Sequence, residues 1–302
     1  MAAVRRCVTS SPRHPLSAEA RLLATQVLLE GSRFDEAAEQ LMTNLHESGL
    51  TPENATWKTS LFQLGMLFCR SGEDELARAR AAYDAAQPED RQEAMEPMKT
   101  AQPKLLQGIQ RLEEAIHRFP QDPQTFYCLY RIAECYRVAS EWPRLQLETM
   151  PSITAATREM YAQQHRELLG DAQLSYATLR QRLNEIGELR GMSRELQKML
   201  RNSYLGEADL AYEMRDYEEA LKAYRIAANR FLTEPTALEA LAEAAKCLQQ
   251  LGRGDEARRS VAQAIDLLGR LDASDPTRFQ DTTRGTREEW VEYLQWLDTT
   301  IR

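Results

Sequence analysis

The sequence is poor in the residues that build sheets. Its 302 residues include 6 Val and 8 Ile against 39 Ala and 39 Leu. β-Branched side chains suit a pleated surface, whereas Ala and Leu lose little rotamer freedom in a helix. The shortage excludes an all-β or α/β fold. Gly (13) and Pro (12) are too few for a disordered or fibrous chain. Aromatics make up only 7% against 43% hydrophobic residues overall, which points to thin Ala/Leu seams. The longest apolar stretch, Thr59 to Cys69, is far below the ~20 residues of a spanning helix. The N-terminus MAAVRRCVTSSPRHP has no apolar core of a signal peptide. Cys7 follows Val4, Arg5 and Arg6, not the apolar-then-small run of a lipoprotein signal. The 5 cysteines are odd in number and form no CxxC pair. Cys128 and Cys135 stand two helical turns apart on one side, as small buried apolar residues do. The expectation is a reduced, soluble, cytoplasmic chain.

Helix punctuation is plentiful. Ser17, Thr51-Pro52 and Asp122-Pro123 read as helix starts, and Thr286-x-x-Glu289 as a capping box. Gly72, Gly191 and Gly252 stand where helices are expected to stop. A spacing of small residues then repeats. Ala208, Ala220 and Ala227 are 12 and 7 apart, and Ala245, Ala257 and Ala264 echo them 37 residues later. Gly65 with Ala77, and Thr25 with Ala37, repeat the spacing of 12; Gly108 with Ala115 repeats that of 7. A small residue midway along one helix of a hairpin lets its partner approach closely.

On these residues the chain resembles tetratricopeptide repeat proteins. RDYEEALKAYRIAANRF (215–231) and LGRGDEARRSVAQAI (251–265) look like second helices of such repeats. LFQLGMLFCRSGEDELARA (61–79) looks like a repeat centre and RLEEAIHRFPQDP (111–123) like a repeat end. The longer period and the run NRFLTEPTALEALAEAAKCL are similar to bacterial envelope members, the β-barrel-assembly lipoprotein and the Tol–Pal coordinator. The resemblance implies an all-α, right-handed solenoid of helical hairpins with a long helical insert. The expected divisions are an irregular tail (1–16), a degenerate array (17–150), the insert (151–200), and a repeat pair with a capping helix (201–302). The degeneracy lies where the spacing of 7 meets Asn44 and Asp84, and where Pro88, Pro97 and Pro103 suggest an irregular link.

Within the insert, Ala172, Tyr176, Leu179, Leu183 and Ile186 step by 4, 3, 4 and 3. This short heptad seam reads either as a helix covering the array or as a dimerisation surface spanning 168–186. Arg190, Arg194, Lys198 and Arg201 place four cations on one face, either a solvated stripe or a site for phosphate. Nucleic acid is disfavoured by the net charge of −8.

No catalytic motif, metal constellation or cofactor loop stands out. Glu114 and His117 make a single ExxH around repeat core, whereas a di-iron bundle needs two with further carboxylates. Asn54-Ala55-Thr56 spells a glycosylation sequon without secretory context. The resemblance instead implies a groove lined by first helices. That face would hold Thr59, Phe62, Met66 and Arg70, then Tyr127, Tyr130, Glu134 and Arg137. It would continue with Asn202, Leu205, Asp209 and Tyr212, then Glu239, Ala242, Lys246 and Gln249. Tyr and Arg favour binding hot spots, although such aromatics also serve to cover seams. The family's carboxylate-gripping Lys and Asn are replaced here by Leu205 and Asp209. The implied function is a non-enzymatic scaffold for a peptide or protein surface; the alternative is a self-associating assembly protein of the envelope. Pro15 ahead of Ser17 resembles a repeat end, so a longer array on the N-terminal side is expected, with Leu22, Leu23 and Val27 left exposed.

Overall fold

The computed structural model describes residues 14–46, 49–87, 90–149, 153–187, 191–271, 279, 282–283 and 285–301. Cys7, Pro88, Pro151 and Arg190 lie outside them. Every regular element among the described residues is helical. No helix among them is long and apolar enough to cross a membrane. The chain divides into two compact units, Met1–Leu168 and Leu169–Arg302, with the division falling inside one long helix.

The first unit opens with α1 (Pro15–Glu30) and α2 (Phe34–His46). α1 starts two residues before Ser17. Pro15 takes the first helical position, and His14 Nδ1 accepts from the Leu16 N–H at 3.2 Å. Ser17 is instead fully buried. Asn44 explains why the small-residue pattern lapses there. It is buried, accepts from Arg21 at 3.2 Å, and donates to Ala18 C=O at 3.0 Å and Ser60 at 3.1 Å. A small residue there would leave those buried groups without these partners.

α3 (Ala55–Ala85) and α4 (Arg91–Arg118) correct the reading of the middle of the array. Asn54, not Thr51-Pro52, caps α3, because Thr51 closes a tight turn with the Asn54 N–H. Gly72 does not end a helix: α3 runs 31 residues through it. Pro97 and Pro103 do not break α4. Both are exposed, so water can satisfy the carbonyls they free. The two helices run antiparallel in very close contact. Gly65 faces Leu112, Gly72 faces Leu105, and Gly108 faces Cys69. A step of seven along α3 is matched by a step of seven back along α4. Leu105 packs on Gly72 inside the continuous helix. Ala77 is accordingly exposed.

α5 (Gln124–Ala139) and the short α6 (Glu141–Thr149) follow. Cys69, Cys128 and Cys135 are free thiols buried in the core of this unit. Burial pushes the Cys128 thiol up to about 12. Asp122 accepts from the Gln124 N–H at 2.9 Å and from Lys58 at 2.8 Å, tying the start of α5 to α3. Burial alone would raise the Asp122 carboxyl, but the Lys58 and Gln124 hydrogen bonds outweigh it and hold it below the usual range. A depressed carboxyl contributes stability that is present above its unfolded value and lost as pH falls through its folded one. We expect the melting temperature of the wild type to fall more steeply than that of Asp122→Asn below about pH 4. Melting temperatures of the two proteins that fall in parallel throughout the acid range would remove this ion pair from the acid response.

α7 (Ala155–Ile186) crosses the division between units. Its seam is not a free dimerisation surface. Ala172, Tyr176, Leu179 and Leu183 are buried within the single chain, and only Ile186 stays exposed. Tyr176 lies on Gly206, where an added Cβ would come within 2.6 Å of the ring. Arg180 pairs with Glu207 on the same neighbour.

The second unit continues with α8 (Arg194–Glu213), α9 (Tyr217–Arg230), α10 (Thr236–Gln250), α11 (Gly254–Arg270) and α12 (Arg287–Thr300). Ala208, Ala220, Ala227, Ala245, Ala257 and Ala264 are all fully buried, as the repeat spacing requires. The hairpin turns are alike. Arg215 and Gly252, at equivalent places, have φ of 63° and 71°. The following N–H reaches back five residues, Asp216 to Ala211 at 2.9 Å and Arg253 to Leu248 at 2.8 Å. This is a Schellman closure. The α1–α2 hairpin repeats it, with Ser32 at φ 54° and Arg33 bonded to Leu28 at 2.9 Å. Thr25 and Ala37 are buried there at the matching positions. On α1, Leu23 and Val27 are exposed and Leu22 is half-buried against the core.

Candidate functional site

The expected groove residues separate into core and surface. In the first unit Phe62 is 1% exposed, with its ring tilted against Phe119, so it packs the core and faces no partner. Thr59 and Met66 are half-buried, and Arg70 is exposed over the Phe34 ring. Tyr127 is 48% exposed. Tyr130, Glu134 and Arg137 are half-buried and each engaged by neighbours.

In the second unit Leu205 is core, Asn202 half-buried and Gln249 exposed. Ala242 and Glu239 are buried. Asp209 accepts the Tyr224 hydroxyl proton at 2.6 Å. Burial, then the Asp209 charge, raises the Tyr224 phenol far above its ordinary value. Tyr212 stands edge-on to Tyr217 with ring centroids 5.2 Å apart. Burial raises its phenol first, with Tyr217, Cys247 and Glu243 adding and Lys246 opposing. Lys246 donates to Glu243 at 2.7 Å and sits 5.5 Å from the Tyr293 ring centroid. Burial would lower this ammonium, but its hydrogen bonds to Glu243 and Tyr293 raise it. Asp209 is thus engaged by Tyr224, Tyr212 by Tyr217, and Lys246 by Glu243 and Tyr293, whereas Leu205 is withdrawn into the core.

α12 contributes to this face in a way the repeat register does not announce. Thr286 and Glu289 form the full capping box, with the Thr286 N–H donating to Glu289 at 2.7 Å. Trp290, Leu294 and Leu297 are buried against the array, and Trp290 donates to Thr283 at 2.9 Å. Tyr293 lies edge-on to Trp290 at 5.6 Å and stacks on Trp296 at 5.9 Å. Between α10 and α12 opens a cleft of about 430 Å³, lined by Glu239, Glu243, Lys246, Gly285, Glu289, Trp290 and Tyr293. One signal is present in the sequence: Glu239, Glu243 and Lys246 step by 4 and 3 along a single helix face.

The other expected features resolve locally. Arg201 leaves the basic stripe, because it is buried and paired with Glu234 at 3.1 Å; Arg194 and Lys198 are exposed. Glu114 of the ExxH pairs with Arg111 at 3.0 Å and Arg118 at 2.9 Å. Among the described residues no group of three metal-ligating side chains gathers.

A family model described as tetratricopeptide repeat matches residues 205–276. No curated protein matches the chain. Among solved structures, a thermophilic tetratricopeptide repeat protein of Thermus thermophilus is 14% identical, covering 92% of this chain and 99% of that one, with a TM-score of 0.34. A tetratricopeptide repeat protein of Parabacteroides merdae is 14% identical, covering 94% and 100%, with a TM-score of 0.26. A Rap protein complexed with competence and sporulation factor is 13% identical, covering 93% and 87%, with a TM-score of 0.31. Residues 205–276, the stretch from α8 through α11, are by this family match a tetratricopeptide repeat segment within an all-helical chain.

Proposed function

We propose that the chain is a non-enzymatic interaction scaffold, holding a peptide or protein segment on the second unit along α8, α10 and α12. The observation that carries this reading is half-buried Lys246 of α10 seated 5.5 Å from the Tyr293 ring of α12, with half-buried Tyr212 on α8, the first helix of the preceding hairpin. Tetratricopeptide repeats generally mediate protein–protein contact, and large amphipathic rings supply most hot-spot energy at such contacts. Burial of the α7 seam within the single chain favours this reading over self-association through residues 168–186.

Panning a random peptide library on the purified chain tests the proposal. The selected peptides are expected to lose roughly tenfold in affinity, ~1.4 kcal/mol, towards a Tyr212→Ala/Gln249→Ala variant of unchanged helicity. No enrichment, or peptides that bind the variant equally well, would sink it.

A further inference from the structure

α1 is apolar on two faces, and the first unit uses one of them. Ala18, Ala24 and Leu28 are buried. On another face Leu16, Leu23 and Val27 are 58%, 60% and 50% exposed, with half-buried Ala20 between them. Steps of 4, 3 and 4 make these four residues one continuous seam. The repeat register shows what becomes of such a seam elsewhere in the chain. Counted back from the left-handed turn residues Ser32, Arg215 and Gly252, Ala20, Leu23 and Val27 correspond to Ser203, Gly206 and Leu210 of α8. On α10 they correspond to Ala240, Glu243 and Cys247. The three α8 residues are buried, and Tyr176 of α7 lies on Gly206. Ala240 and Cys247 are fully buried and Glu243 is half-buried. Of the three helices, α1 leaves these places open, and an apolar stripe left open on a helix marks a contact surface.

Charge names the occupant. Glu19 and Glu30 stand three residues past Leu16 and Val27, on one edge of the seam, and both are exposed. Neither carboxylate has a hydrogen bond or ion pair among the described residues. Arg21, the only Lys or Arg of α1, is buried and donates to Asn44 at 3.2 Å. A second copy of α1 laid along the seam would bring like charges and no exposed cation. A basic helix matches both the seam and its acidic edge. We infer that α1 docks an amphipathic helix of a partner protein, with leucine-like side chains on its contact face and Lys or Arg along the edge that meets Glu19 and Glu30. This surface lies on the first unit and is independent of the peptide reading of the second.

The probe is a labelled synthetic peptide with blocked ends, two copies of the heptad LKKLLKL, beside a twin carrying Glu for every Lys. Anisotropy titrations with the full chain are expected to show saturable binding of the Lys peptide, with the Glu twin roughly tenfold weaker. Leu23→Gln should weaken the Lys peptide roughly tenfold while leaving the melting temperature unchanged, since the position is exposed. Leu174→Gln, at an exposed leucine of α7, should leave binding as it is. Glu19→Gln/Glu30→Gln should cost roughly fivefold and narrow the gap between the twins. Equal binding of the twins, or equal effects of Leu23→Gln and Leu174→Gln, overturns the assignment. A wild-type dimer in light scattering that Leu23→Gln dissolves puts a second copy on the seam and overturns it as well.

Discussion

Arg201→Ala is expected to destabilise the second unit by about 2–4 kcal/mol, because it removes a buried cation and leaves the half-buried Glu234 carboxylate without its partner. The Arg201 side chain is 9% exposed and that of Glu234 18%, with 3.1 Å between them. The pair links the middle of α8 to the connection between α9 and α10, so its loss falls on the packing of both hairpins. Desolvating two ions offsets much of their attraction, and a buried pair exchanged whole for apolar residues costs little. The double variant Arg201→Met/Glu234→Leu should therefore recover most of the melting temperature lost by Arg201→Ala. Chemical denaturation of the three proteins decides the matter. A single variant within about 1 kcal/mol of the wild type would place the pair among surface ion pairs.

Gly108→Ala should lower the melting temperature of the first unit despite the better helix propensity of alanine. The added Cβ would lie 2.6 Å from Cys69 Sγ, 2.7 Å from its backbone nitrogen and 3.0 Å from the Gly65 carbonyl oxygen. A side chain can rotate away, but two of these atoms are backbone, so α3 and α4 must separate. Alanine recovers about 1 kcal/mol of helix propensity. Overpacking costs about 1–3 kcal/mol and more when backbone must move. We expect a net loss of about 2 kcal/mol, or roughly 4–8 °C. Gly170→Ala in α7 is the matched control. Nothing lies within 4 Å of its added Cβ, so it should gain about 0.5–1 kcal/mol. Similar gains in both variants would show that α3 and α4 stand further apart.

Local patterns in the sequence carry the hairpins of the second unit and the outline of α12, because each rests on spacings of a dozen residues or fewer. Thr25, Ala208 and Ala245 each stand seven residues before a left-handed turn. The same rule misplaces Gly72, where α3 runs on and Leu105 of the following helix packs on the glycine. Pro97 and Pro103 mislead for a related reason: whether a proline breaks a helix depends on which way its turn faces, a tertiary property. Arg201 reads as one cation of a surface stripe because its partner Glu234 is in another element. Of the candidate site, Tyr212 and Lys246 are legible from repeat register. The cleft is not, since it requires α12 to return beside α10 from beyond the repeat.

The three Schellman-closed hairpins and the α3–α4 pair differ in contact order. Each hairpin joins residues close in sequence, whereas Gly65 meets Leu112 only after the intervening chain has been brought round. Closing that longer loop costs entropy before any packing rewards it. The α3–α4 pairing is therefore expected as the late step in refolding of the first unit, after α1–α2. Pulse-labelled amides showing α3 protected ahead of α1 would reverse that order. The three glycines then act at the end of folding, when two helices already formed are drawn together and each glycine leaves room for one side chain of the other, Leu112, Leu105 or Cys69.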